Sequence, residues 1–179
     1  MTAFTDRDSS GRSILMCALE NNHDESIIKT IIDLDQNVIN CTDNNLDTAA
    51  MYALRNRYPT EFIMSLTSDS TINSINYNGL SLLTMAFKFN TAESILDSII
   101  QLYPDRVKVE TKALLLAIET ENASIVRKLI ENGMDVTTRI NGKNPALYAA
   151  ASKNGDVLKL ILDEITPCKC FVCIHAKNF

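Results

Sequence analysis

The chain has 179 residues and a formal net charge of -5 at pH 7, with a sequence pI near 5.0. This length suits one compact domain or a short repeat array. The acidic balance and the lack of clustered Lys and Arg argue against general binding to nucleic acid or to an anionic membrane, because phosphate contacts need clustered positive charge.

No apolar run approaches the roughly 20 residues that cross a bilayer, and the first residues lack the basic and then apolar order of a signal peptide. We therefore expect a cytoplasmic or nuclear protein with no membrane partner. In those compartments the five cysteines are expected to be reduced thiols.

Four residues with the spacing i, i+1, i+4 and i+5 recur five times along the chain. The quartets are Ile27, Ile28, Ile31, Ile32; Phe62, Ile63, Leu66, Thr67; Ile95, Leu96, Ile99, Ile100; Ile125, Val126, Leu129, Ile130; and Val157, Leu158, Ile161, Leu162. Their first members are separated by 35, 33, 30 and 32 residues. The spacing places each quartet on one helix face, and a period near 33 indicates a stack of helix pairs.

A second helix is expected before each quartet, because its start signals also recur. Relative positions 1, 4, 6, 8 and 11 are Asp8, Gly11, Ser13, Leu15, Ala18 in the first repeat and Asn76, Gly79, Ser81, Leu83, Ala86 in the third. Glycine at position 4 permits a positive φ in the turn, and Ser at position 6 can cap the helix. Alanine at position 11 allows close helix packing.

The other repeats depart from this pattern at their starts. The second repeat keeps Asp43, Thr48 and Ala53, whereas Leu46 takes the place of the turn glycine. The fourth repeat begins over 105–112 with no glycine, and the fifth begins at Gly142 with a register uncertain by one residue.

The most regular stretch is 122–136, where an amphipathic helix is expected to end at Gly133. This stretch, with the position pattern above, resembles the ankyrin repeat family over residues 8–166. The resemblance implies an all-α ankyrin repeat solenoid of about five stacked helix-turn-helix units with short β-hairpin-like loops. It leaves 1–7 as an N-terminal lead and 167–179 as a cysteine-rich C-terminal tail.

The family resemblance also implies a non-catalytic protein-protein interaction module, monomeric, whose partner binds the concave face of hairpin tips and first helices. On that face we expect the partner-binding residues Asp47, Arg55, Asn56, Tyr77, Leu80, Lys88 and Phe89, since aromatic and Arg side chains are the usual anchors of binding energy. Phe89 has an alternative role as a core residue between helices.

Catalysis is not expected, because the chain has two histidines and five scattered glycines, and they form no zinc-protease, P-loop or dinucleotide motif. Ser26 and Lys29 do have Ser-x-x-Lys spacing, but they lie in a predicted repeat helix.

The C-terminal tail carries the sharper candidate for chemistry, a possible zinc site made of Cys168, Cys170, Cys173 and His175. Their spacing is tight for one ion, so a thiol-rich apolar cap is the favoured interpretation, with acylation or redox use as further alternatives. No cofactor is expected.

The first helix, from Ser13, is apolar almost all round, which leaves two alternatives: the chain pairs through this end, or the terminus frays. The 19 Ile and 17 Asn are typical of an AT-rich genome, as in many large DNA viruses and intracellular bacteria. They favour the hypothesis of a host-interaction factor or signalling inhibitor acting in host cytoplasm. An adaptor for a larger assembly, such as a ubiquitin ligase, is the alternative.

Overall fold

The computed structural model describes residues 6–89, 93–108 and 110–166, and the described part is mostly helical. Its helices are α1 (Ile14–Glu20), α2 (Glu25–Leu34), α3 (Ala49–Arg55), α4 (Thr60–Ser65), α5 (Leu82–Lys88), α6 (Glu93–Leu102), α7 (Pro104–Lys108), α8 (Thr111–Glu119), α9 (Ala123–Glu131), α10 (Pro145–Ala151) and α11 (Gly155–Ile165). A 3₁₀ helix, Gln36–Asn40, follows α2.

The predicted helix pairs are confirmed. The first helices of the five repeats are α1, α3, α5, α8 and α10, and the second helices are α2, α4, α6, α9 and α11. The chain forms two compact units, Met1–Ile99 and Ile100–Phe179, called here the N-terminal and C-terminal units. In the N-terminal unit α1 packs on α2 and α3, and α3 packs on α4 and α5. In the C-terminal unit α8, α9, α10 and α11 pack as two pairs.

Hydroxyl caps start the first helices, as the sequence predicts. Ser13 Oγ accepts the N–H of Met16 at 3.4 Å, and Thr48 Oγ1 accepts that of Met51 at 3.3 Å. Ser81 forms a capping box with Thr84, in which each side chain bonds the other's backbone N–H. These bonds satisfy amide groups that have no partner inside the helix.

Repeat five has its own register, which the structure defines. Asn144 caps α10 by accepting the N–H of Ala146 at 2.8 Å, and Pro145 is the first helical residue. Gly142 therefore occupies position 4 and Ala149 position 11. Ala149 is buried, as are Ala53 and Ala86 at the same position, which agrees with close helix packing there.

The turn before each of the first three helices has a left-handed residue at position 4. Gly11 has a φ of 75° and Gly79 a φ of 67°, as their positions predict. Leu46 adopts the same conformation with a φ of 64°. The loss of glycine therefore leaves the turn shape unchanged, and the Cβ of Leu46 introduces backbone strain.

The core consists of the repeated quartets, and their burial depends on position in the chain. All four members are buried in repeat three. In repeat one Ile27 is 45% exposed, and in repeat five Leu162 is 42% exposed. The first and last repeats therefore leave part of an apolar face uncovered by the described residues, as expected for the ends of an array.

Repeat four and the end of α9 complete the description. In repeat four the short helix α7 precedes α8, where the other repeats have a hairpin. Gly133, with a φ of 85°, ends α9 as predicted: its N–H bonds the carbonyl of Ile130 at 2.8 Å, and the Met134 N–H bonds that of Leu129 at 3.0 Å. Within the described ranges, helices long and apolar enough to span a bilayer are absent.

Candidate functional site

The first three hairpins of the N-terminal unit are joined by backbone hydrogen bonds. The Asn44 N–H donates to the Ser10 carbonyl at 3.0 Å, and the Tyr77 N–H donates to the Asn45 carbonyl at 3.0 Å. A Cβ on Gly11 would lie only 2.9 Å from the Asn44 nitrogen, so Gly11 also permits the close approach of the second hairpin. The hairpins therefore form one connected edge of this unit.

Each of these hairpins is held by the side chain at position 1. Asp8 Oδ1 accepts the N–H groups of Ser10 and Arg12, both at 2.9 Å. Asp43 Oδ1 accepts those of Asn45 and Asp47, both at 2.8 Å. Asn76 repeats the arrangement with the two equivalent N–H groups at 3.0 Å. The bonds fix the loop backbone and hence the direction of the side chains at the tips.

Asp47 is placed by the structure beneath the surface, with 5% of its area exposed. Its carboxylate binds Arg55 Nη2 at 2.7 Å and Asn76 Nδ2 at 2.7 Å. Because Asn76 belongs to the next hairpin, Asp47 connects repeats two and three. Within the predicted set it holds Arg55 in place.

Arg55 lies over Tyr52, a residue missing from the sequence prediction. The guanidinium carbon is 5.1 Å from the centre of the Tyr52 ring, a distance typical of a cation-π contact. The Tyr52 hydroxyl donates to Asp43 Oδ2 at 2.9 Å. Burial, followed by this bond, raises the pKa of Tyr52, so the phenol stays neutral and donates.

The remaining predicted residues differ in exposure. Tyr77 is 74% exposed at the tip of the third hairpin, Leu80 is half-buried and Lys88 is exposed at the end of α5. Asn56 donates from Nδ2 to the Tyr52 carbonyl at 3.0 Å, which satisfies the end of α3.

Phe89 lies between its two predicted roles. It is 38% exposed, whereas Phe87 is only 6% exposed and is the aromatic core residue of this helix. Tyr77 is therefore the most accessible aromatic group of the predicted set.

The comparisons with known proteins now bear on this arrangement. A family model described as ankyrin repeats in three copies matches residues 83–170. The chain carries ankyrin repeats. The ankyrin repeat domain of Bcl-3, a member of the IkappaB protein family, is similar in fold, with a TM-score of 0.70 and 19% identity over 89% of this chain and 72% of that chain.

A second solved structure agrees with this ankyrin fold. A chain from the complex of a predatory endopeptidase from Bdellovibrio bacteriovorus with an immunity protein gives a TM-score of 0.68 at 20% identity, over 90% of this chain and 85% of that chain. At such identities the likeness shows the fold alone. No curated protein sequence matches this chain.

Sequence reasoning missed the polar residues that support the ankyrin hairpins. Tyr52 and Asp43 bond across nine residues, and Cys17 Sγ lies 3.9 Å from Asp8 Oδ2 across the same interval in repeat one. A polar residue nine positions after the first hairpin residue is the signal that would have found them. Arg7 was likewise missed; its guanidinium donates to the carbonyls of Gly11 and Thr42 at 2.9 Å.

The chemical candidates fall in two places. Cys168, Cys170, Cys173 and His175 lie outside the described residues. In the ranges that the structure covers, groups of three or more His, Cys, Asp or Glu side chains suited to a metal ion are absent. Lys29 Nζ lies 3.7 Å from Glu25, in an exposed ion pair along α2, and Ser26 is exposed on the same helix.

Proposed function

We propose that this protein binds a partner protein, without catalysis of its own, through the hairpin tips and first helices of its N-terminal unit. Ankyrin repeats generally mediate protein-protein interaction. The observation that carries the proposal is the combination of a highly exposed Tyr77 side chain with a backbone fixed by hydrogen bonds to both sides.

Rigidity supports this role. A side chain presented on a fixed backbone loses less conformational freedom when the partner binds, so more of the contact energy appears as affinity. Arg55 is similarly held by Asp47 at 2.7 Å and by the Tyr52 ring. Tyr and Arg are also the residue types most enriched among binding hot spots.

The test uses a photo-crosslinking amino acid placed at position 77 or 89 in the native cell, with position 34 as a matched control. Leu34 is 63% exposed on α2, away from the hairpins. Crosslinks to one protein from 77 and 89, and none from 34, would support the proposal. Equal crosslinking from all three positions would contradict it.

Binding of the identified partner is then measured with purified variants. Tyr77→Ala should weaken binding by about tenfold or more, as hot-spot truncations do, and change the free energy of unfolding by less than about 0.5 kcal/mol. Leu34→Ala should leave affinity unchanged. An unaltered affinity for both variants would show that the partner binds elsewhere.

A narrower role as a host-interaction factor or signalling inhibitor in host cytoplasm is also proposed. It is supported by the composition rich in Ile and Asn and by the likeness in fold to the ankyrin domain of Bcl-3. Imaging of the tagged protein in its native setting tests the location, and the identity of the crosslinked partner tests the role. An adaptor role in a ubiquitin ligase is the competing outcome, in which ligase subunits would be recovered.

The oligomeric state and the tail have separate tests. We propose a monomer, which light scattering on the purified chain would check. Zinc or acyl groups on the tail would be detected by mass spectrometry of the intact protein, and a metal-free, unmodified and folded sample would leave the tail as a cap.

A further inference from the structure

The C-terminal unit has a surface cavity of about 520 Å³ beside the ends of the first helices α8 and α10. Its lining residues are Glu119, Glu121, Tyr148, Ala151, Ser152 and Lys153. Glu119 is the last residue of α8, and Ala151 is the last residue of α10. The cavity therefore lies where two successive repeats end their first helices.

The same place in the N-terminal unit is occupied by an arginine side chain. There the first helices α1 and α3 end at Glu20 and Arg55. Tyr52 stands three residues before Arg55, as Tyr148 stands three residues before Ala151. Glu20 and Glu119 are thus equivalent, and so are Tyr52 and Tyr148, but Arg55 has become Ala151.

The N-terminal unit shows what such a place accommodates. The Arg55 guanidinium carbon lies 5.1 Å from the centre of the Tyr52 ring, and Arg55 also bonds Asp47. Burial and the bond to Asp43 are the main causes of the raised pKa of Tyr52, and the nearby charge of Glu20 adds to them. An acidic residue from one repeat and a tyrosine ring from the next therefore surround a guanidinium group.

The C-terminal unit keeps the acidic residue and the ring without the arginine. Glu119 is exposed and forms no ion pair with the described residues. The Tyr148 hydroxyl donates to the Ile140 carbonyl at 3.0 Å, which fixes the ring beside the cavity. Glu121 is also held, because its Oε1 accepts the Lys153 N–H at 2.9 Å.

The charges around the cavity leave room for one more cation. Among the lining residues, Glu119 and Glu121 are acidic and Lys153 is basic, so the lining has one negative charge in excess. Lys143 Nζ lies 5.8 Å from the Tyr148 ring centre, close to the limit of about 6 Å for a cation-π contact. A planar guanidinium can both stack on a ring and bond a carboxylate in a bidentate manner, which an ammonium group cannot.

We propose that this cavity binds an arginine side chain of a partner protein, held between the Glu119 carboxylate and the Tyr148 ring. The inference rests on the proposed protein-binding function and adds a second contact region with a stated chemistry. Ala151 leaves open the volume that Arg55 fills in the other unit.

The test is an NMR titration of the full chain with Nα-acetyl-arginine amide, and with the citrulline analogue, which has the same shape and no charge. We expect the arginine probe to shift amide signals of 119–121 and 148–153 with a millimolar dissociation constant, and the citrulline probe to leave them unchanged. Equal shifts from both probes, or none from either, would overturn the proposal.

Two variants and a control locate the site. Glu119→Gln should weaken the arginine probe about tenfold, because a charged hydrogen bond is lost. Ala151→Arg places the chain's own guanidinium in the cavity and should abolish the shifts. Glu131→Gln removes an exposed glutamate of α9 and should respond as the unaltered chain does. Undiminished shifts in both cavity variants would refute the assignment.

The small probe separates this inference from the proposed function. If the arginine probe fails while crosslinks from positions 77 and 89 persist, the cavity proposal is wrong and the function stands. If the probe binds and those crosslinks are absent, the binding surface has been placed in the wrong unit.

Discussion

The two units hold their hairpins in different ways. In the N-terminal unit a carboxylate or amide at position 1 accepts two backbone N–H groups of a three-residue turn, as Asp43 does. In the C-terminal unit the hairpin uses a two-residue Asn-Gly turn, with φ of 49° at Asn141 and 78° at Gly142. The preceding loop is held by Asp135 instead. One repeat fold therefore tolerates two solutions for its loops.

The units also differ in how their polar positions are satisfied. The N-terminal unit pairs Arg55 with its own Asp47 and Tyr52. The C-terminal unit presents Glu119 and Tyr148 at an open cavity. Internal pairing makes the first surface rigid, and the missing cation makes the second surface a receptor for an external one.

The largest effect is expected from Asp47→Ala in the N-terminal unit. It removes the shared partner of Arg55 and Asn76 and leaves a partly buried guanidinium without its carboxylate. Breaking such a pair costs about 3 kcal/mol, and the partial exposure of Arg55 lowers the expected loss to about 2–3 kcal/mol. Urea unfolding followed by circular dichroism measures it.

Glu25→Ala provides the matched control, because it removes an exposed ion pair of the same unit, with Lys29 at 3.7 Å. Its effect should stay within about 0.5 kcal/mol. If the two variants were equally stable, the Asp47 network would contribute no more than an ordinary surface pair, and the contrast between the units would lose its energetic basis.

A smaller loss is expected from Ser81→Ala. The substitution removes the cap of α5 and one half of the capping box with Thr84, so the free energy of unfolding should fall by about 1–2 kcal/mol. Ser98→Ala in α6 is the control, since Ser98 only bonds the carbonyl four residues earlier and alanine favours helix. A loss in Ser98→Ala as large as in Ser81→Ala would contradict the capping role.

The repeat pattern was predictable because it depends on local chemistry. Caps at Ser13, Thr48 and Ser81 and the left-handed Gly11 and Gly79 follow from residue type and position alone. The helix pairs follow from the quartet spacing. These features need no knowledge of what lies across the fold.

The site was less predictable because it depends on contacts between repeats. Asp47 was expected on the binding surface, yet Asn76 of the next hairpin bonds it, and it is buried. The exposed tip position of Tyr77 followed from the turn pattern. The relation between Arg55 and Ala151 required the helix ends, which the uncertain register of repeat five had obscured.

A modest gain in stability is expected from Leu46→Gly. Leu46 has a φ of 64°, and relief of left-handed strain is worth about 1–2 kcal/mol, from which the extra backbone entropy of glycine subtracts about 0.5–1 kcal/mol. The net gain should be about 0.5–1 kcal/mol in urea unfolding. Gly79→Ala, at the equivalent turn position, should instead destabilise. Destabilisation by both substitutions would mean that the Leu46 side chain contributes more through packing than it costs in strain.

The smallest effect concerns the loop that precedes the C-terminal hairpin. The hydroxyl of Thr137, then that of Thr138, lowers the pKa of Asp135 to about 2 from an ordinary value of 3.8. Since the folded pKa lies below the unfolded one, this contribution to stability is complete above pH 4 and is lost as the pH falls from about 4 to 2. Asp135 is exposed, so solvent screening keeps the contribution small.

Asp135→Asn separates this contribution from the other acids of the chain. The stability difference between Asp135→Asn and the unaltered chain should shrink as the pH falls from 5 to 2.5. Carboxyl ¹³C NMR should also show that Thr137→Val raises the Asp135 pKa, because it removes the principal donor. An unchanged Asp135 pKa in that variant would mean that the carboxylate does not hold this loop. The difference between the units would then reduce to the type of turn.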